Sequence, residues 1–174
     1  MTQNFVQGRV TAINRQQKIL TLGDGKTFTY DKLALCTGAR ARKIDLPGCH
    51  LKGIHYLRDM DDAKAIKANV VKGQHAVIVG GGYIGLETAA SLIKLGMQVT
   101  LLETASRILQ RVTAPEVSDF YQRVHSENGV SIHTNVTVTG FDGHDYIEKV
   151  LLADGTELSA HLVVVGVGVE PNVE

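Results

Sequence analysis

The chain has 174 residues, 44% of them hydrophobic and 21% charged, and Lys plus Arg (18) equals Asp plus Glu (18). That balance suits a globular α/β protein with a sizeable core and gives no net field to draw nucleic acid or an anionic membrane. No apolar run reaches transmembrane length, the N-terminus lacks a signal-peptide pattern, and Cys36 and Cys49 have no CxxC spacing, so a cytoplasmic setting is expected.

In chain order, Lys18-Ile-Leu-Thr-Leu-Gly-Asp-Gly25 alternates around an Asp-Gly turn and predicts a hairpin. Leu33-Ala-Leu-Cys-Thr-Gly38 predicts a further strand ending in a glycine loop, with Cys36 packed inside it as a small hydrophobe. Pro47-Gly48 breaks the chain and is expected to leave Cys49 exposed. Residues 57–62 open a short helix to about residue 70, with Asp59 or Asp61 as its N-cap.

Lys72-Gly73 then turns into a β-branched run at 76–79, which reads as a buried parallel strand. Gly80, Gly82 and Gly85 follow at dinucleotide-fingerprint spacing within His75-Ala-Val-Ile-Val-Gly-Gly-Gly-Tyr-Ile-Gly85. The fingerprint uses such glycines for a tight turn, for approach of a pyrophosphate to the backbone, and for close helix–strand packing. A helix over 86–95 stops at Gly96, a strand spans 98–102, and Glu103 stands where an acid can accept hydrogen bonds from an adenosine ribose. A lone GxGxxG is weak; with strand, helix, second strand and acid all in place, coincidental glycines become the minor alternative.

Pro115 starts another helix that runs to about residue 127 and stops at Asn128-Gly129. A strand at 130–133 precedes an antiparallel meander over 136–141, 146–152 and 157–158, and residues 162–165 return to the parallel sheet. The expected fold class is therefore α/β: a Rossmann-like parallel sheet whose last crossover is a β-meander instead of a helix.

The hairpin region occurs twice. One ungapped register aligns Leu20 with Val150, Leu22 with Leu152, Asp24-Gly25 with Asp154-Gly155, Leu35 with Val165, and Gly38 with Gly168. Only the second copy is preceded by a glycine fingerprint. The expected organisation is residues 1–45 as the C-terminal part of one incomplete nucleotide-binding domain, 46–72 as linker and short helix, and 73–174 as nearly all of a second.

These motifs resemble the FAD-dependent pyridine nucleotide–disulfide oxidoreductase superfamily, and within it the NADH-dependent ferredoxin and rubredoxin reductases. The resemblance rests on Tyr30-Asp-Lys-Leu-Ala-Leu-Cys-Thr-Gly-Ala39, Val79-Gly-Gly-Gly-Tyr-Ile-Gly-Leu-Glu87, Leu102-Glu-Thr-Ala-Ser-Arg-Ile-Leu-Gln-Arg111, Ala114-Pro-Glu-Val-Ser-Asp-Phe-Tyr121 and Val165-Gly-Val-Gly-Val-Glu-Pro-Asn172. It implies that residues 1–45 are the C-terminal part of an incomplete FAD-binding domain and 73–174 an NAD-binding domain, with FAD contacts at Thr37, Gly38, Ala39 and Arg40 and with Arg42 as a phosphate or ribose partner. It implies NAD contacts at Gly80, Gly81, Gly82, Tyr83, Ile84 and Gly85, at Glu103 for the ribose, at Arg111 beside the adenine, and at Gly166, Val167 and Gly168 beside the nicotinamide. Glu87 is placed near the nicotinamide amide, or alternatively is a solvated helix residue.

By this resemblance the chain is the NAD(H)-binding portion of an oxidoreductase that passes hydride from NADH to FAD and electrons on to a ferredoxin or rubredoxin. The flavin and NADH part of a nitrite reductase or NADH oxidase, or a non-catalytic NAD-binding module, are the alternatives. No side chain is assigned to catalysis. None of the 7 histidines forms an HxxH or HExxH pair, so a metal site is not expected. Glu103 favours NADH over NADPH by repelling a ribose phosphate, while Arg107, if free, softens that rejection. As a fragment without the FAD fingerprint, the chain alone is expected to be inactive, to bind NADH weakly, to retain little FAD and to self-associate.

Overall fold

A computed structural model describes residues 4–174 as two compact units, one ending at Thr37 and the other spanning Gly38–Glu174. In the first, β1 (Val10–Asn14), β2 (Ile19–Leu22) and β3 (Thr27–Thr29) form an antiparallel sheet in the order β1-β2-β3. The Asp-Gly turn closes as expected. Asp24 Oδ1 accepts the Lys26 N–H at 3.1 Å, and the Leu22 N–H donates to Lys26 O at 2.8 Å.

The strand expected at residues 33–38 is not formed. A strand exists only as part of a hydrogen-bonded ladder, and none of the described strands lies alongside this segment. Leu35 is accordingly 66% exposed, and Cys36 is exposed instead of packed.

The second unit begins with β4 (Ala39–Ala41) and β5 (Ile54–Tyr56), followed by α1 (Met60–Ala68), β6 (His75–Val79), α2 (Tyr83–Lys94) and β7 (Gln98–Leu102). After them come α3 (Pro115–Glu127), β8 (Val130–His133), β9 (Val138–Asp142), β10 (Lys149–Leu152), β11 (Glu157–Ser159), β12 (Leu162–Val165) and β13 (Val169–Pro171). Five strands make one parallel sheet in the order β5-β12-β6-β7-β8.

Both faces of that sheet are covered, which is why its central strands read as continuous apolar runs. Ala76 and Ile78 of β6 pack with Leu86, Ala89 and Leu92 of α2, while Val77 and Val79 pack with Val138, Phe141 and Val150 of the meander. The meander is the antiparallel sheet β11-β10-β9, and it fills the place of a crossover helix between β8 and β12. Its Asp-Gly turn repeats the one in the first unit bond for bond. Asp154 Oδ1 accepts the Thr156 N–H at 2.9 Å, and the Leu152 N–H donates to Thr156 O at 2.9 Å.

Local rules fix the helices. Asp59 caps α1 by accepting from the Asp61 and Asp62 N–H groups, and the Asp62 side chain closes the capping box. Pro115 sits in the first turn of α3, and Asn128 ends it. The helix expected at 86–95 starts three residues earlier, at Tyr83, because Gly82 itself is its N-cap.

Four strands, β1, β4, β5 and β13, have no counterpart in the sequence reading. β5 lies inside the segment read as linker yet forms the sheet edge against β12, and β4 pairs antiparallel with β13. Cys49, expected to be exposed, is half-buried against the meander-side core.

Candidate functional site

The carboxyl ends of β6, β7 and β12 meet at a cluster of backbone crossings. Gly80 follows β6 with φ +110°, and its N–H donates to Leu102 O at 2.8 Å. A Cβ there would stand 2.4 Å from Gly166 O, so the turn after β6 and the loop after β12 touch main chain to main chain. One turn on, a Cβ at Gly85 would stand 2.1 Å from Gly80 O. This contact lets α2 lie directly on the strand that feeds it.

Gly82 is the opposite case. A Cβ built there meets nothing within 4 Å, and no side chain caps the first turn of α2. The orphan N–H groups of that turn and the positive end of the helix dipole are thus available to an anion such as a diphosphate. Tyr83 and Ile84, next in the chain, are 45% and 40% exposed.

Glu103 completes the arrangement from β7. Its Oε2 accepts the Gly81 N–H at 2.7 Å, and its Oε1 accepts the Ala105 N–H at 2.8 Å and the Thr104 hydroxyl at 3.2 Å. The Glu103 N–H donates to His133 O at 2.8 Å, which anchors the backbone below the carboxylate. The loop after Glu103 folds back on the same glycine: the Leu109 N–H donates to Gly81 O at 2.9 Å, and a Cβ at Gly81 would stand 2.8 Å from Ile108 Cγ2.

The structure therefore gathers Gly80, Gly81, Gly82, Gly85, Glu103 and Gly166 at one end of the parallel sheet. Val167 packs against the meander-side core, and Gly168 O accepts the Arg42 N–H at 3.0 Å. The side chains of Glu87 and Arg111 are exposed and make no bond to that cluster among the described residues.

Arg107 is not free. Its Nη1 donates to Ser118 Oγ at 2.6 Å and its Nη2 to Gln110 O at 3.2 Å. The expectation of a mobile arginine beside Glu103 is corrected accordingly. Ser118, fully buried on α3, also donates to Ile108 O at 2.7 Å. A serine at that point of Ala114-Pro-Glu-Val-Ser-Asp-Phe-Tyr121 gives no local signal of this role, because its partners arrive from the preceding loop.

Of the residues expected near a flavin, Thr37 is exposed in the first unit and the others belong to the second. Arg40 bonds Glu174 at 2.8 Å, Glu170 at 3.2 Å and Asn172 Oδ1 at 3.2 Å. The hydrogen bond and charge of Glu174, helped by Glu170, hold the Arg40 guanidinium above its ordinary range. A cavity of about 540 Å³ is lined by Ala39, Arg40, Lys43, Arg58, Asp59 and Glu170, among others. Arg58 Nε donates across it to Ala39 O at 2.8 Å. Among the described residues no helix is long and apolar enough to cross a membrane.

The chain is similar to putidaredoxin reductase CamA of Pseudomonas putida, 45% identical over 95% of this chain and 41% of that protein. It is also similar to the rubredoxin-NAD(+) reductase of Ectopseudomonas oleovorans, 36% identical over 95% of this chain and 43% of that one. Among solved structures, the covalent putidaredoxin reductase–putidaredoxin complex superposes with a TM-score of 0.81 at 45% identity, covering 94% of this chain and 41% of the matched one. The chain thus spans about two fifths of the relatives it matches. The profile described as pyridine nucleotide-disulphide oxidoreductase matches from residue 2 to residue 174, so the chain belongs to that family.

Proposed function

We propose that this chain carries the NAD(H)-binding portion, with part of the FAD-binding portion, of a reductase that moves electrons from NADH to a ferredoxin- or rubredoxin-type acceptor. Residues 73–174 hold the nucleotide, residues 46–72 connect while adding β5 to the sheet edge, and residues 1–45 belong to the flavin side. The observation that carries this reading is the 2.7 Å bond between the Glu103 carboxylate and the Gly81 N–H. It holds an acid able to accept from a ribose beside a glycine turn that leads into a helix without a side-chain cap.

The residues present fit a dinucleotide. The first turn of α2, with Gly82 leaving space above it, receives the diphosphate. Glu103 accepts from the adenosine ribose, with Arg111 beside the adenine. Gly166, Val167 and Gly168 flank the nicotinamide end, with Tyr83, Ile84 and Glu87 on the side of α2. Reduced nicotinamide supplies a hydride and flavin receives it, so this chain's share is binding, orientation and charge.

The flavin side is less complete. Arg40, held by two carboxylates, offers no free cation to a flavin diphosphate as it stands. Thr37, Gly38, Ala39, Arg40 and Arg42 are proposed as flavin contacts on the strength of the family pattern.

Glu103 selects NADH, since a 2′-phosphate would meet its carboxylate. Relatives named as ferredoxin and rubredoxin reductases favour those acceptors over the chemistry of a nitrite reductase or NADH oxidase. A cytoplasmic setting goes with this reading, because NADH is regenerated there. Paired calorimetric titrations test it: NADH is expected to bind at least about tenfold more tightly than NADPH, roughly 1.4 kcal/mol. A folded sample that gives no heat with saturating NADH would overturn it.

A further inference from the structure

We infer that Ser118 is a specificity-determining position for the nucleotide: it keeps the Arg107 guanidinium locked onto α3 and so denies a 2′-phosphorylated nucleotide its cationic partner. The inference rests on the reading that residues 80–85 and Glu103 hold NAD(H).

Three observations support it. Arg107 lies in the loop that leaves Glu103, and its neighbour Ile108 packs on Gly81, the glycine whose N–H the Glu103 carboxylate holds. An arginine so placed in a dinucleotide fold is a ready acceptor of a 2′-phosphate. Here, however, the guanidinium is occupied, by Ser118 Oγ at 2.6 Å and Gln110 O at 3.2 Å.

The lock is also built to last. Ser118 is 0% exposed, and its hydroxyl is a junction: it accepts from Arg107, donates to Ile108 O at 2.7 Å and lies 3.2 Å from Thr113 Oγ1. With the hydroxyl proton given to Ile108 O, the serine oxygen is left as an acceptor for Arg107. Losing that acceptor would leave a buried-side N–H unpaired, a cost that swinging the long side chain toward an incoming phosphate removes. Discrimination therefore has two parts: a carboxylate that repels the phosphate and a serine that withholds the cation.

Ser118→Ala, Arg107→Ala and the double variant separate the parts, with affinities for NADH and NADPH measured by calorimetry on the full chain. Ser118→Ala is expected to lower the NADPH/NADH ratio of dissociation constants by about tenfold, mainly through tighter NADPH binding. Arg107→Ala alone leaves that ratio at the wild-type value, and adding it to Ser118→Ala restores the wild-type ratio. If a melting curve shows that Ser118→Ala does not fold, Ser118→Cys, close in shape and a weak acceptor, replaces it. An unchanged ratio in the folded Ser118 variant, or NADPH binding weakened by Arg107→Ala alone, would overturn the inference. Absence of NADH binding by the wild-type chain would instead overturn the reading on which it rests.

Discussion

Gly82 and Gly85 stand three residues apart in one motif, yet the structure gives them separate jobs that one added methyl distinguishes. At Gly85 a Cβ would lie 2.1 Å from Gly80 O and 3.3 Å from Ile78 Cγ2. The oxygen is main chain at the end of β6, so relief requires α2 to move off the sheet by more than an ångström. Overpacking of this kind costs about 3 kcal/mol, offset by about 1 kcal/mol from the better helix propensity of alanine. The net loss of about 2 kcal/mol lowers the melting temperature of Gly85→Ala by roughly 4–8 °C.

At Gly82, with φ −81° and nothing within 4 Å of a Cβ, the same substitution meets no protein atom. Glycine is the better N-cap by about 0.7 kcal/mol, so the melting temperature falls by no more than about 3 °C. The methyl nevertheless occupies the space through which a diphosphate approaches the helix amides, and NADH affinity is expected to fall by about tenfold or more. Differential scanning fluorimetry and calorimetric titration on both variants are the assays. Gly85→Ala melting with the wild type, or Gly82→Ala binding NADH like the wild type, would refute the division of labour.

Other perturbations follow from the same contacts. Glu103→Gln keeps an acceptor for the Gly81 N–H but sets an amide NH2 against the Ala105 N–H and removes the charge, so a modest fall in melting temperature should accompany a gain of NADPH on NADH in paired titrations. Lys149 and Glu157 pair at 2.7 Å on an exposed surface, and Lys149→Ala should leave the melting temperature unchanged within error. His55 is half-buried with no partner for Nε2 among the described residues, and burial holds its pKa below the usual 6.5 despite the opposing pull of Asp62. The unfolded chain then binds the extra proton first. The stabilising contribution is complete above about pH 6.5 and is lost as pH falls through the lower folded value, so urea midpoints should drop between pH 7.5 and pH 5.5, less so in His55→Gln. Cys36 is exposed and Cys49 half-buried, so a colorimetric thiol reagent should modify Cys36 first; simultaneous reaction of both would contradict the packing of Cys49.

What the sequence revealed was what neighbours along the chain decide. The ends of α3 lie where Pro115 and Asn128-Gly129 place them, Asp59 caps α1, and β7, β8 and β12 occupy the expected residues. Ladders between distant segments were less legible. Ile54-His-Tyr56 is three residues of edge strand with no alternation to mark it, and it is a strand only because β12 lies beside it. The run at 33–38 shows the converse: its residues suit a strand as well as those at 162–165 do, but only the latter sit between two partners, β5 and β6. The fingerprint glycines and Glu103 were visible as candidates because their spacing is local. The Arg107–Ser118 lock was invisible because it joins a loop to a helix and no motif spacing expresses it.

Gly81 carries no fingerprint duty by spacing, yet the candidate site converges on it. Its N–H is held by Glu103, its carbonyl by the Leu109 N–H, and its bare Cα by Ile108. A side chain there would press on Glu103 Oε2 at 3.1 Å and on Ile108 Cγ2 at 2.8 Å, so the acid and the loop behind it fit only against glycine. The consequence is preorganisation. The carboxylate is already oriented by donors on both oxygens before any nucleotide arrives, and an ionised carboxylate with about four acceptor positions still has room for a ribose hydroxyl. Binding then need not order the acid, so affinity is not spent on fixing a flexible side chain. The same bonds make the acid a poor place to accommodate a phosphate: it cannot swing aside without stripping the Gly81 N–H of its partner. On the proposed reading, selectivity for the unphosphorylated ribose is in this way tied to the integrity of the glycine turn itself.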